Sequence, residues 1–187
     1  VVSDGNKDGG FFWLLRSVAK QIPKDEIDVF FTSYPISPFF LPVKQAFWVH
    51  DFTWKFFPKT MDPLTLKACQ LFCPPSIRRA DALLAVSQTT LDSLNKLYPE
   101  CRHKSHLLLN GIHPRFRVMD RKEAQQYIFE KFHIRPPYIL HLGTVEPRKN
   151  LHRLLQAFHH FKTTTRHPHQ LLIAGGKGWR DSPIYKT

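Results

Sequence analysis

The amino-acid sequence predicts an α/β protein in which parallel strands are flanked by helices. Short apolar segments alternate along the chain with segments of helical periodicity, the pattern of strand–helix–strand units. Ala82–Val86 is apolar at every position, as expected of a central strand covered on both faces. The helix expected after residue 150 carries one apolar stripe, formed by Leu151, Leu154, Leu155, Phe158 and Phe161.

The composition of the 187-residue chain indicates a folded protein and restricts its partners. Hydrophobic residues make up 42% of the sequence and charged residues 22%, so a core can form and general disorder is excluded. No apolar run approaches the ~18 residues that a membrane-spanning helix needs. The formal net charge of +12 favours phosphorylated ligands, anionic lipid or nucleic acid as partners.

Four strands are expected in the first part of the chain. They are Asp28–Phe31, Gln45–Val49, Ala82–Val86 and His106–Leu109. A helix is expected over Leu91–Leu97, capped by Ser87, Thr89 or Thr90. An earlier helix runs from Leu64 to about Cys73, where Pro74-Pro75 should break it. Ser76 would then cap a second short helix over Ile77–Ala80.

Residues 112–136 predict a connection between two domains. They are rich in basic residues, with one amphipathic helix expected near Glu123–Phe132. A strand at Tyr138–Leu142, a helix capped by Asn150 and a strand at Gln170–Ala174 follow. Two strands and one helix cannot close a core. Residues 1–111 are therefore expected to be the later part of one domain, and residues 137–187 the beginning of a second, truncated one.

The loop after Tyr138–Leu142 combines features of a phosphate-binding site. It reads Gly143-Thr144-Val145-Glu146-Pro147-Arg148-Lys149 and leads into a helix, where backbone N–H groups and the positive end of the helix dipole converge. Gly143 permits close approach to the backbone, and Arg148 and Lys149 add two cations. A solvated basic loop that only begins a helix explains the same residues equally well.

His50 follows the strand Gln45–Val49, at the sheet edge where open α/β proteins bind ligands. A histidine there can donate to a sugar hydroxyl or a phosphate oxygen, or stabilise developing charge. A His50 ring satisfied by the neighbouring Asp51 carboxylate is an equally good interpretation. The many aromatic residues nearby can belong to the core, or those of the Pro-rich loop can face a sugar or an acyl chain.

Two further features have mainly structural interpretations. Cys69, Cys73 and Cys101 form an odd, sparse set, which favours buried thiols in a reducing compartment over disulfides or a metal site. Gly175-Gly176-Lys177-Gly178 follows the last expected strand, and its glycines can admit a ligand or simply form a turn.

Five separated strings of the sequence are informative in combination. They are Val49-His50-Asp51, the string Ser76–Ser87, Asn110-Gly111-Ile112 followed by Phe116, the string Gly143–Leu151, and Gly175–Trp179. Each is modestly specific alone, but their order and spacing over residues 28–182 are highly specific. In this combination the chain resembles the glycosyltransferases of family 4, also called group 1, which have the GT-B fold.

The resemblance implies a GT-B pair of Rossmann-like domains, both incomplete in this chain. The first would bind the acceptor and the second the nucleotide sugar. Arg148 and Lys149 correspond to the family's basic pair that grips the donor diphosphate, with Gly143 and Thr144 in the same loop. His50 corresponds to the histidine beside the transferred sugar. The family usually needs no metal, so no cofactor is expected beyond the donor substrate, a nucleotide-diphosphate sugar.

The resemblance also predicts the activity and its setting. We expect a retaining enzyme that transfers a hexose, such as mannose, to a polysaccharide or lipid-linked glycan acceptor. The family's later Glu-x7-Glu region would lie beyond Thr187, so the chain is expected to be a fragment that is inactive alone. The alternative is a non-catalytic remnant or binding protein that keeps half of the GT-B fold.

A cytoplasmic location is expected, because no signal peptide is visible in the sequence. The basic surplus and the aromatic segment Tyr34–Phe57 also predict peripheral contact with an anionic membrane, at its inner face. Nucleic acid is not expected as a partner, because the cations are scattered and no recognition module is present.

Overall fold

The chain is divided into two compact units, Val1–Gly111 and Ile112–Thr187. The computed structural model describes residues 17–178. Trp179, the last residue of the glycine-rich string, lies outside them. The expected connection, residues 112–136, falls in the second unit, and the domain boundaries drawn from the sequence stay a prediction.

The first unit contains a four-stranded parallel sheet in the order β1–β2–β3–β4. The strands are β1 Val29–Thr32, β2 Lys44–Val49, β3 Ala82–Ala85 and β4 Ser105–Leu107. All four lie within two residues of their expected positions. Val49 pairs with Ala85, and Ala85 pairs with Leu107, so the carboxyl ends of β2, β3 and β4 are level. His50, which follows Val49, therefore lies at the edge of the sheet where the ligand site was expected.

The core of the first unit lies between one face of the sheet and two helices. The helices of this unit are α1 Ala19–Gln21, α2 Thr53–Phe56, α3 Pro63–Arg79 and α4 Gln88–Leu97, with 3-10 turns at Pro58–Thr60 and Pro99–Lys104. Phe47 and Leu83 of the sheet pack in one cluster with Ile77 of α3 and Leu94 of α4, and all four side chains are fully buried. Along β2, buried residues alternate with residues that are half-buried or, at Lys44, exposed, and this alternation follows from the one-sided packing.

The expected break at Pro74-Pro75 is wrong, because α3 continues through both prolines to Arg79. The two carbonyls left without an N–H donor belong to the exposed residues Gln70 and Leu71, where water can reach them. The buried face of the helix stays in register across the prolines, at Cys69, Cys73, Ser76 and Ile77. Packing of that face outweighs the two lost hydrogen bonds.

The sequence suggested that Ser76 caps a helix. In the structure, Ser76 instead holds the loop after β1. Its hydroxyl oxygen accepts from the Ser37 backbone N–H at 3.2 Å. The Ser37 hydroxyl in turn donates to the Gln45 side-chain oxygen at 2.8 Å, and all three residues are buried. This satisfies polar groups of the loop inside the core and fixes it along α3.

All three cysteines are free and buried, which confirms the expectation of buried thiols. Burial also raises the pKa of the Cys101 thiol, which keeps it protonated and unreactive at neutral pH. Within residues 17–178 the structure contains no helix with the length and apolar character needed to cross a bilayer.

The second unit contains a two-stranded parallel sheet and two helices. Its elements are α5 Arg121–Phe132, β5 Tyr138–Leu142, a 3-10 turn Pro147–Lys149, α6 Leu151–Thr165 and β6 Gln170–Ala174. Both strands occupy the residues that the sequence predicted. Leu151 of the predicted stripe is fully buried, and the other four stripe residues are half-buried. Leu142 pairs with Ala174, so the loops that follow β5 and β6 begin side by side.

Asn150 precedes α6 as predicted, but its side chain makes no capping hydrogen bond. The residue adopts a left-handed conformation with φ of 53°, which asparagine tolerates better than most residues. Its backbone carbonyl accepts from the N–H groups of Arg153 and Leu154 instead. Asn150 therefore turns the backbone from the loop into the helix.

Candidate functional site

The loop after β5 is fastened to the segment after β6 by backbone hydrogen bonds. The Gly143 N–H donates to the Ala174 carbonyl at 2.8 Å, and the Val145 N–H donates to the Gly176 carbonyl at 3.0 Å. The Val145 side chain is buried. The first half of the loop is therefore a rigid extension of the sheet.

Glycines make this close approach of the two loops possible. At Gly175 a Cβ atom would overlap the Gly143 carbonyl, and at Gly178 it would overlap the Val145 carbonyl oxygen. A Cβ at Gly176 would meet nothing within 4 Å. The sequence left open whether these glycines admit a ligand or form a turn. In the structure, Gly175 and Gly178 allow the backbone of the loop after β5 to approach closely.

The two basic residues of the loop have different surroundings. The Arg148 guanidinium donates to the Glu146 carboxylate at 2.6 Å, and that carboxyl side chain is only 6% exposed. Lys149 is exposed, and its ammonium group makes no hydrogen bond or ion pair with residues 17–178. Arg148 is exposed too, so both side chains reach solvent, but of the two only Lys149 has no compensating charge within the described residues. Sequence reasoning missed Glu146, because nothing in the pattern marked it as buried.

Lys149 lies beside Gly143. A Cβ placed on Gly143 would be 3.8 Å from Lys149 Cε and 3.6 Å from His141 Nε2. His141 Nε2 is buried and has no hydrogen-bond partner among the described residues. His141 is a second residue that sequence reasoning missed, although a polar residue within an apolar strand was the available signal. Gly143, Lys149 and the start of α6 thus lie close together, and this group is called the basic corner.

The start of α6 adds a favourable field for an anion. The helix has 15 residues and begins at Leu151, directly after Lys149 and Asn150. The first N–H groups of a helix lack partners within it, and the helix dipole makes that end positive. Thr144 is exposed on the same loop. The corner therefore combines one free ammonium group with a helix start, an arrangement suited to a phosphate or diphosphate.

His50 lies at the carboxyl end of β2 in the first unit and is exposed. Its ring stacks on the Trp48 indole, with ring centroids 6.0 Å apart and 27° between the planes. Trp48 also contacts Phe31 of β1, with centroids 5.9 Å apart. The imidazole therefore stacks on a row of aromatic side chains, and His50 as a residue is exposed.

The alternative in which Asp51 satisfies the His50 ring is wrong. The Asp51 carboxylate accepts from the Thr53 backbone N–H at 2.8 Å, at the beginning of α2. Within the described residues no hydrogen bond or ion pair joins His50 to Asp51. His50 is left with its ring nitrogens available for a ligand.

A hydrogen bond fixes the His50 backbone. The Thr90 hydroxyl donates to the His50 carbonyl at 3.0 Å, and Thr90 is 7% exposed. Of the three expected caps, Ser87 is the one that accepts from the helix, through the Thr90 N–H at 3.2 Å. Thr90 is therefore not the helix cap, and its hydroxyl bonds to the His50 backbone instead.

The aromatic residues near His50 divide into two groups. Phe47, Phe52 and Trp54 are buried, whereas Phe39, Phe40, Phe56 and Phe57 are exposed. Phe56 and Phe57 line a cavity of about 150 Å³ together with Asp51, Phe52, Thr53, Thr89, Thr90 and Ser93. Hydroxyl groups, one carboxylate and aromatic rings thus line this cavity, and His50 is not among its lining residues. Such a lining suits a small polar ligand with an apolar face.

Within the described residues 17–178, a metal ion would need several His, Cys, Asp or Glu side chains as ligands. That part of the chain contains no group of three or more His, Cys, Asp or Glu side chains that could hold a metal ion.

Comparison with known proteins identifies the family. Residues 3–116 match the family described as Glycosyltransferase Family 4, and residues 124–186 match the family described as Glycosyl transferases group 1. The chain is also similar to O-antigen chain mannosyltransferase B of Escherichia coli, with 41% identity over 49 residues. That similarity covers 26% of this chain and 13% of the mannosyltransferase.

These matches agree with the structure. The family 4 match covers more than half of the chain. The parallel α/β arrangement of the first unit is Rossmann-like, as in GT-B proteins. The chain belongs to the glycosyltransferases of family 4, the group 1 enzymes of GT-B type.

Proposed function

We propose that the chain is part of a retaining glycosyltransferase that transfers a hexose from a nucleotide-diphosphate sugar. The acceptor in this proposal is a polysaccharide or a lipid-linked glycan, and mannose is the first sugar to test. Family membership supports a transferase, and the similarity to a protein named as an O-antigen chain mannosyltransferase supports the choice of sugar and acceptor.

The observation that carries the proposal is the uncompensated Lys149 beside Gly143 at the start of α6. Departure of a nucleoside diphosphate places negative charge on its phosphate oxygens. A preorganised ammonium group and a helix start stabilise that charge without further rearrangement. The proposed chemistry therefore uses the protein's own cations, with Arg148 oriented by Glu146 as a second donor, and needs no resident cofactor.

His50 has a separate role in the proposal. Its exposed ring can donate to a sugar hydroxyl or stabilise charge that develops during transfer. The stacking on Trp48 and the bond from Thr90 limit the movement of the ring, which supports a role that needs orientation.

We also propose peripheral contact with an anionic membrane, as fits a lipid-linked acceptor. Phe40 is 92% exposed and Phe57 is 61% exposed, both in the segment Tyr34–Phe57. The exposed lysines Lys44 and Lys55 lie in the same segment. Exposed rings with nearby cations suit the boundary between headgroups and acyl chains.

Calorimetric titration of the 187-residue chain with nucleoside diphosphates tests the proposed donor site. Binding that depends on Lys149 supports it. A chain that binds no nucleoside diphosphate at millimolar concentration contradicts it. Binding without transfer of sugar is expected both of a fragment that is inactive alone and of a non-catalytic binding protein.

A further inference from the structure

A helix side chain bonds to the backbone directly after the end of β2. The last backbone bond of the β2–β3 pairing runs from the Val86 N–H to the Val49 carbonyl at 3.2 Å. His50 is the first residue after β2, and its carbonyl accepts from the Thr90 hydroxyl at 3.0 Å. Thr90 lies in the first turn of α4, which follows β3. A side chain of α4 thus holds the chain where it leaves β2.

The Thr90 hydroxyl is itself directed by Ser87. The Thr90 proton goes to His50, so the Ser87 hydroxyl must donate to Thr90 Oγ1, at 3.0 Å. Ser87 Oγ also accepts from the Thr90 N–H at 3.2 Å. The Thr90 side chain therefore has one rotamer that satisfies every partner.

The consequence concerns the orientation of the His50 ring. A carbonyl held in place fixes the peptide plane after His50 and so limits the backbone torsion at that residue. The ring then lies on Trp48, with centroids 6.0 Å apart. With the backbone released, an exposed imidazole at the end of a strand can turn away from the indole into solvent.

We propose that Thr90 is a positioning residue for His50, whose bond to the His50 carbonyl holds the imidazole against Trp48. The inference rests on the proposed role of His50 in sugar transfer. Its structural content, which is the coupling of the Thr90 hydroxyl to the orientation of the His50 ring, is measured without any sugar or nucleotide.

Nuclear magnetic resonance of the 187-residue chain with labelled histidine tests the coupling. The ring protons of His50 are assigned by their loss in His50→Gln. Stacking on Trp48 displaces these signals from the values in an unfolded peptide of residues 46–54, which provides the unstacked reference. Thr90→Val keeps the size of the side chain and removes the hydroxyl, and Thr90→Ser keeps the hydroxyl.

The expected result is that Thr90→Val moves the His50 signals most of the way to the peptide values, while Thr90→Ser retains the native ones. Thr60→Val is the matched control. The hydroxyl that it removes donates to the Phe57 carbonyl, at 2.7 Å, and not to His50. This control should leave the His50 signals in place. Folded Thr90→Val with native His50 signals would overturn the proposal.

If Thr90→Val does not fold, the hydroxyl proton of the unaltered chain decides the question. Slow exchange of that proton with water, with a nuclear Overhauser effect to the His50–Asp51 peptide, supports the proposal. Rapid exchange overturns it. Binding of nucleoside diphosphate at Lys149 is measured separately, so failure of the proposed donor site can be told apart from failure of this coupling.

Discussion

The Arg148 guanidinium and the Glu146 carboxylate form an ion pair at 2.6 Å, with the carboxylate almost fully buried. The two neighbouring basic residues of the loop are therefore not equivalent. Arg148 pairs with the buried Glu146 carboxylate, whereas Lys149 has no such partner in the described part of the chain. The family resemblance implies one shared role for Arg148 and Lys149, and the structure shows that the two side chains have different surroundings.

Arg148→Ala should destabilise the second unit. The change leaves the Glu146 carboxylate buried and unpaired, which costs about 1–3 kcal/mol for a polar group and more for one that stays charged. Urea unfolding followed by circular dichroism measures the loss. The double variant Arg148→Ala, Glu146→Gln should recover part of it, because a neutral amide is less costly to bury. Equal stability of Arg148→Ala and the native chain would show that the pair has no structural role.

Gly175→Ala should disturb the loop, and Gly176→Ala should not. A methyl group at Gly175 overlaps the Gly143 carbonyl, whereas one at Gly176 meets nothing within 4 Å. Overpacking against backbone costs roughly 1–3 kcal/mol. We expect a lower melting temperature and weaker nucleoside diphosphate binding for Gly175→Ala only. If the two variants melt alike, the close approach of the two loops is not required.

Asp81 should make the first unit sensitive to acid. Its carboxylate accepts from Lys44 Nζ and from the Gln45 backbone N–H, both at 2.9 Å. The hydrogen bond from Lys44, followed by that from Gln45, lowers the pKa of Asp81 below its usual value. The stabilisation is therefore present above the unfolded pKa of about 4 and is lost as the pH falls through the lower, folded value.

Unfolding by urea at several pH values below about 5 measures this contribution. Asp81→Asn should show a weaker dependence on pH in that window than the native chain. Screening limits the size of the effect because the side chain is largely exposed. An identical pH dependence in the two proteins would exclude Asp81 as a source of acid sensitivity.

Vesicle flotation tests the proposed membrane contact. The chain should float with vesicles that contain phosphatidylglycerol at low salt, and less at high salt, because the attraction is partly electrostatic. Phe40→Ser and Phe57→Ser should reduce flotation. Phe116→Ser, which changes an exposed phenylalanine of the second unit, is the control and should not. Flotation that these substitutions leave unchanged would rule out the segment Tyr34–Phe57 as the contact.

The strands could be predicted from the sequence because their signal is local. Ala82–Ala85 and Tyr138–Leu142 are apolar runs bounded by clear changes in composition. The continuous helix through Pro74-Pro75 could not be predicted in this way. The local penalty of proline argues for a break, and only the burial of one unbroken helix face in the folded unit outweighs it.

The site was predictable in part for a similar reason. His50 and Lys149 stand at strand and helix ends, which are positions that a sequence pattern reveals. The partners that organise them are either distant or unexpectedly buried. Thr90 is 40 residues from His50, and Glu146 differs from an ordinary surface glutamate only through burial, which a single sequence does not show.

The most direct test of the central claim is calorimetric titration of the native chain and of Lys149→Ala with nucleoside diphosphates. Loss of one charge-assisted hydrogen bond should weaken binding by roughly 1.5–3 kcal/mol, which is about 10-fold to 150-fold in Kd. The melting temperature should stay nearly unchanged, because Lys149 is exposed and unpaired within the described residues. Lys122→Ala, which removes another exposed lysine of the second unit, is the matched control.

The account predicts measurable binding to the native chain and to Lys122→Ala, and strongly reduced binding to Lys149→Ala at equal stability. Equal affinity of Lys149→Ala and the native chain, or a collapse of the melting temperature of Lys149→Ala, would contradict the assignment of this loop as the diphosphate site.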